Sequence, residues 1–213
     1  MIISGLTFLG SPSYLNIIGR IAFPIFAFQI SEGYKHTKNL KMYFLRLLIF
    51  ALVSQIAFML FRISIGLTNF ELNIFFTLLL GLSSITIYDK IKQKYNNKYL
   101  GILPVILLII LGQILKCDYG WYGVAIIFLF YLFKDNKVYM NIGIITTIII
   151  KYLSDYIHIP NIYQLYFSIS AMYSLLFINL YNNKKGKNIK YLLYIFYPLH
   201  LIILALIRFL LMK

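Results

Sequence analysis

The chain has 213 residues, of which 61% are hydrophobic, with a mean hydropathy of +0.82 and a formal net charge of +14. That composition lies far outside the range of a soluble domain, and the lack of period-two alternation argues against a transmembrane β-barrel. The positive charge does not point to nucleic acid, because loop lysines of a hydrophobic chain follow the positive-inside rule.

Residues 1–10, MIISGLTFLG, are apolar but too short to span a bilayer, and they lack the basic start of a signal peptide. They read as the tail of a helix whose start is missing. The stretch that follows, LNIIGRIAFPIFAFQISEGY (15–34), is long enough to span, yet it carries Arg20, Gln29 and Glu32 around Pro24. An ionised group at a helix centre costs roughly 2.5–3.5 kcal/mol on insertion scales, so this helix is expected to face protein or a water-filled cavity. Apolar runs then recur about every 25–30 residues, the spacing of a span plus its loop. Eight spans are predicted, at 14–35, 42–61, 72–89, 99–115, 119–133, 138–153, 162–181 and 191–210. The fifth and sixth are near the short limit, so the bundle is expected to be thin or to contain broken helices. Alternate loops sort by charge. Lys35, Lys38, Lys41 and Arg46, then Lys90, Lys92, Lys94 and Lys98, then Lys134 and Lys137, and finally Lys184, Lys185, Lys187 and Lys190 fall on one side. The other side holds only Arg62, Lys116, Lys151, Arg208 and Lys213. The basic side is expected to be cytoplasmic, with both chain ends outside.

Few residue patterns carry chemistry. Cys117 is the single cysteine, which rules out an intramolecular disulfide and a cysteine-based metal cluster. The histidines at 36, 158 and 200 lack metal-ligand spacing, and there is neither a glycine-rich phosphate loop nor a GxSxG nucleophile motif. His200, in YIFYPLHLII, falls near the middle of the last span. An imidazole buried there is favoured in its neutral form and can accept a proton, as a general base must; the alternative is an interhelical hydrogen bond. Glu32 and His36, four residues apart, share a helix face. They read either as a base with its orienting carboxylate or as an ion pair at a helix C-terminus. Arg20 either reaches back to the interface or pairs with an acidic group from another helix, Glu71 or Asp118. In NFELN (69–73), Asn69 or Glu71 is a candidate helix cap, and Glu71 and Asn73 are candidate substrate contacts. In KCDYGWYG (116–123), Asp118, Tyr119 and Trp121 are candidate substrate contacts, with an aromatic membrane belt of Tyr119, Trp121 and Tyr122 as the alternative.

The ordered segments GRIAFPIFAFQISEGYKHT, YFLRLLIFALVSQIAF, NIFFTLLLGL, DYGWYG and YPLH, from about Asn16 to Leu206, resemble the TraX family. The resemblance implies a membrane acetyltransferase, with N-terminal acetylation of conjugative F-type pilin as the founding activity. It also implies kinship with transmembrane acyltransferases that use cytoplasmic acyl-CoA. Relatives usually begin with an additional helix bearing an Asp-His pair, so the first family helix is expected to be truncated here. The expected protein is an all-α, polytopic integral membrane bundle forming one transmembrane acyltransferase-like domain over 1–213, in a bacterial inner membrane. It would transfer acetyl from acetyl-CoA, without a metal, to a pilin-like amine or a surface glycan. His200, Glu32 and Arg20 are the expected catalytic residues, with Asp118, Tyr119, Trp121, Glu71, Asn73 and His36 at the substrate. A small transporter or channel, and a non-catalytic membrane assembly factor, are the competing expectations.

Overall fold

The computed structural model describes residues 14–158, 162–182, 184 and 190–211. The expectation for residues 1–10 lies outside them. Among the described residues the regular structure is α-helical: α1 Tyr14–His36, α2 Leu40–Ser64, α3 Ile74–Tyr95, α4 Lys98–Ile114, α5 Gly120–Leu132, α6 Lys137–His158, α7 Ile162–Met172, α8 Ser174–Asn179 and α9 Lys190–Leu211. Each predicted span coincides with a helix, except that the seventh is divided. Ser174 Oγ donates to the carbonyl of Ala171 at 2.6 Å, and the Tyr173 and Leu176 amides make short-range turn bonds. The helical ladder is interrupted there between α7 and α8, as happens when a serine competes for a backbone carbonyl.

Among the described residues, asparagines start four of the helices, Asn136 at α6 accepting from the amides of Val138 and Tyr139 at 3.0 and 3.1 Å. The side chains of Asn39, Asn73 and Asn97 accept from the amides of Met42, Phe75 and Tyr99 at 3.0, 2.9 and 2.8 Å. Each satisfies an amide that the helix cannot. Helix α3 runs six residues past its predicted end, because Lys90, Lys92 and Lys94 are good helix formers once clear of the bundle. It stops at Asn96, which takes the left-handed conformation of a helix C-cap (φ 48°).

With α7 and α8 taken as one divided span, successive spans alternate in direction. The C-terminal ends of α1, α3 and α5 meet where the Tyr34 and Tyr131 hydroxyls bond Asp89. The ends of α2 and α9 meet at the opposite side, where Arg208 Nε donates to the carbonyl of Ser64 at 2.6 Å. The turns bearing Lys38, Lys98 and Lys134 therefore share one end of the bundle, here called the basic end. Helix α3 packs on α4 and α5, α1 on α5 and α7, and α2 on α9. Ala27, Leu82, Ile126, Ile127 and Ile144 are fully buried between them. Glycines let α3 and α5 approach closely: a Cβ on Gly81 would lie 2.4 Å from Ile127, and one on Gly123 would lie 2.4 Å from Thr77.

The outside of the bundle is apolar. Leu52, Ile56 and Leu60 on α2, Leu103, Leu107 and Ile114 on α4, and Leu199, Ile203 and Leu206 on α9 are exposed, Ile56 by 70%. Ser54, Asn73, Thr77 and Ser84 are fully buried. Two helices, Leu40–Ser64 and Ile74–Tyr95, are long and apolar enough to cross a membrane by length and composition.

Candidate functional site

The end opposite the lysines is stepped. Helix α2 continues to Ser64, but the chain then folds back along it. Gln55 Nε2 donates to the carbonyl of Glu71 at 2.7 Å, and Asn73 Nδ2 donates to the carbonyl of Ala51 at 2.6 Å and to Gln55 Oε1 at 2.9 Å. Gln55 lies nine residues before Ser64, so segment 65–73 descends about 13 Å alongside α2 at the α-helical rise. There it meets the α4–α5 turn. The amide of Leu72 donates to Lys116 and the amide of Asp118 donates to Leu72 at 2.7 Å, forming an isolated β-bridge. Thr77 Oγ1 also donates to the carbonyl of Asp118.

This descent buries charge. Arg62 Nη1 lies 2.6 Å from Glu71 Oε2 and Nη2 lies 3.1 Å from the carbonyl of Asn69. Asp118, 8% exposed, sits beside them, and a void of about 10 Å³ opens between Phe61, Arg62, Glu71 and Asp118. That is about the space of one water molecule. Arg62 Nε and Asp118 Oδ2 are both buried without a hydrogen-bond partner among the described residues. Burial pushes the Asp118 carboxyl up from its ordinary range, while Arg20 and Arg62 pull it down and Glu71 pushes it further up. Burial and the neighbouring Asp118 also push the Cys117 thiol up to about 11. It stays neutral near pH 7 and is a poor nucleophile.

The turn carries backbone strain at Lys116 and Tyr119, whose φ are positive (51° and 69°), while Gly120 takes its positive φ (46°) without penalty. Left-handed backbone is costly for a side chain as large as tyrosine. Tyr119 is held by a stack on Phe23, with centroids 3.7 Å apart and planes within 9°. Tyr122 is buried against the same pair, whereas Trp121 is half-buried and meets Tyr122 edge-on. The inward stacking of Tyr119 and Tyr122 differs from a lipid-facing belt.

The nine residues expected at a site separate into two groups. Arg20, Glu71, Asn73, Asp118, Tyr119 and Trp121 gather at the stepped end, where the charge of Arg20 acts on Asp118, Tyr119 and Tyr122. Asn73 caps α3, in place of Asn69 or Glu71, and its side chain is engaged by Phe75, Ala51 and Gln55. His200 approaches this group from α9. Its ring stacks on Phe196 at 5.1 Å and meets Tyr197 edge-on at 5.4 Å, and the Tyr197 hydroxyl lies within the field of Asp118. His200 Nδ1 lies 3.0 Å from the carbonyl of Phe196. A carbonyl can only accept, so this contact places the proton on Nδ1 and leaves the Nε2 lone pair available.

Glu32 and His36 lie at the basic end. Glu32 is twelve residues beyond Arg20 on α1, about 18 Å along the axis, with buried Ala27 and Ile30 in between. Its carboxylate is 3.4 Å from His36 Nε2 and 3.9 Å from Lys35 Nζ, an ion pair at a helix C-terminus. Sequence reasoning missed Arg62, Tyr197 and Asp89. Arg62 reads as a loop charge at the end of a span, and Tyr197 was in view within YPLH. Asp89 accepts hydrogen bonds from Tyr34 (2.9 Å) and Tyr131 (2.7 Å), partners 55 and 42 residues away, which no local pattern announces. Among the described residues, no cluster of His, Cys, Asp and Glu could hold a metal ion.

Comparison with known proteins agrees with the family resemblance. The chain is similar to a probable fimbrial assembly protein FimC, serogroup H1, of Dichelobacter nodosus, at 26% identity over 221 residues, covering 95% of this chain and 87% of that one. No solved structure matches it. The TraX protein family model matches residues 1–208, nearly the whole chain, and the protein belongs to the TraX family.

Proposed function

We propose that this protein is a multi-pass inner-membrane acyltransferase with a role in pilus biogenesis, moving an acetyl group from acetyl-CoA to an amine such as a pilin N-terminus. Family membership and the fimbrial assembly relative support the pilus connection. The apolar exterior supports the membrane: an exposed hydrophobic belt around a bundle with buried polar groups is the inverse of a water-soluble surface. The observation that carries the site is the group of buried Arg62 and Asp118 with half-buried Arg20 and Glu71, beneath the end opposite the lysines. Ionisable residues kept at such depth are costly and mark chemistry.

In this reading the basic end faces the cytoplasm, where the donor is available, and the stepped end receives the acceptor. Asp118 orients the acceptor amine. The amine nitrogen attacks the thioester carbonyl, and His200 Nε2 takes the proton released as the C–N bond forms. Arg20 stabilises the developing oxyanion. The C–S bond then breaks, and the imidazolium returns its proton to the departing thiolate. The packed layer of Ala27, Leu82, Ile126 and Ile127 separates the two ends. It disfavours a permeation route through the centre, so the acyl group must pass beside it. His200, on the half-exposed flank of α9, lies on that side path.

The test is transfer of radiolabelled acetyl from acetyl-CoA to a pilin-like peptide by the purified, reconstituted protein. Label on the peptide amine is the expected result. Uptake into vesicles without modification would replace this reading with transport.

A further inference from the structure

The basic end holds a second polar site. A cavity of about 370 Å³ lies where the ends of α1, α3 and α5 meet, lined by Tyr34, Lys35, Thr37, Asp89, Tyr131 and Lys134. That volume falls in the range of small-molecule sites. Its architecture is built rather than incidental. Each oxygen of Asp89 takes one tyrosine hydroxyl, and the two tyrosine rings stand at 90° with centroids 5.5 Å apart. Lys134 Nζ sits 4.6 Å over the Tyr131 ring, and Lys35 enters from α1, also within 3.9 Å of Glu32.

We infer that this cavity binds a phosphate ester that also carries an amino or hydroxyl group, with the phosphate at Lys134 and Lys35 and the donor group at Asp89. An ammonium is a point-charge partner for phosphate. The two hydroxyls offset part of the charge of Asp89, so it does not cancel the attraction of the lysines. Each carboxylate oxygen also keeps a lone pair for a further N–H or O–H. A clamp that only tied three helices together would not need an open cavity of this size beside it.

Two sources supply this chemistry: the nucleotide end of an acyl-CoA, which rests on the acyltransferase reading, and an aminated phospholipid headgroup, which does not. The experiment uses the full chain in phosphatidylcholine nanodiscs. Binding of adenosine 3′,5′-bisphosphate is followed by calorimetry, and retention of added phosphatidylethanolamine by native mass spectrometry. One of the two should bind saturably, and Lys134→Ala should weaken it about tenfold or more, the scale of a lost charge-assisted contact. Asp89→Asn should weaken it by a similar factor without weakening inorganic phosphate. Should Asp89→Asn not fold, Lys134→Ala decides, because Lys134 ties no helices together through Asp89. Absence of both ligands, or equal binding by wild type and Lys134→Ala, overturns the inference. Nucleotide binding that is lost in Lys134→Ala while the wild type shows no acetyl transfer keeps the cavity and removes the acyltransferase reading. Transfer that continues in Lys134→Ala with an unchanged KM for acetyl-CoA, together with unchanged retention of phosphatidylethanolamine, keeps the acyltransferase reading and removes the cavity.

Discussion

Arg62 is 4% exposed along its side chain, and its charge is balanced mainly by Glu71. Removing one partner of a buried ion pair leaves the other uncompensated, at a cost of about 3–5 kcal/mol. Arg62→Met should therefore lower the thermal midpoint of the detergent-solubilised protein sharply, whereas Arg62→Met with Glu71→Leu should recover much of the loss. A double variant as unstable as the single one would show that the pair is not the source of the effect. Asp118 gives a pH signature. Its folded-state pKa is raised by burial above the unfolded carboxylate value of about 3.8. The folded state thus holds its proton more tightly, and its stabilising contribution is complete below that value. It is lost as pH rises through the elevated folded pKa. Thermal scans from pH 4 upward should show this decline, and Asp118→Asn should flatten it. His200 concerns activity. His200→Ala should leave folded protein in the membrane and reduce acetyl transfer by about 10²–10⁴-fold, the usual contribution of a general base. Near-normal specific activity would remove His200 from the mechanism.

Helices α3 and α5 meet through Gly81 and Gly123, where an added methyl group would fall 2.4 Å from Ile127 or Thr77. Overpacking at such a seam costs typically about 1–3 kcal/mol. Gly123→Ala should thus destabilise the bundle and disturb the neighbouring Phe23–Tyr119 stack, which near-ultraviolet circular dichroism would register. Gly143→Ala, where the nearest atom would be 3.3 Å away on the Phe133 ring, is the milder comparison. The helices themselves were legible because apolar runs and lysine-rich turns are local signals. The break at Tyr173 was not, since it depends on which carbonyl Ser174 selects. The site was half legible. Asp118, Glu71 and Arg20 stood out as charges in or near apolar sequence, and the structure gathers them. Arg62 was hidden by its place at a span end, because its burial comes from segment 65–73 folding back. In the sequence Glu32 groups with Arg20 as a candidate catalytic residue, but twelve residues of α-helix carry Glu32 to the other end.

The bundle as a whole predicts an orientation. With Cys117 replaced by serine, Phe70→Cys on the stepped end should react with an impermeant maleimide in intact cells, and Lys94→Cys at the basic end only after permeabilisation. The opposite pattern would invert the assignment of faces. The turned-back segment 65–73 also bears on the proposed insertion into lipid. The two helices most able to cross a membrane, α2 and α3, are the ones this segment joins. Arg62 with Glu71, Gln55 with Asn73, and Asn73 with Ala51 all form within that hairpin. These particular pairs therefore form without waiting for α9 or α5. In the proposed membrane setting Arg62 and Glu71 would leave the translocon already paired, and the hairpin would serve as the template on which the shorter α4 and α5 dock during biogenesis.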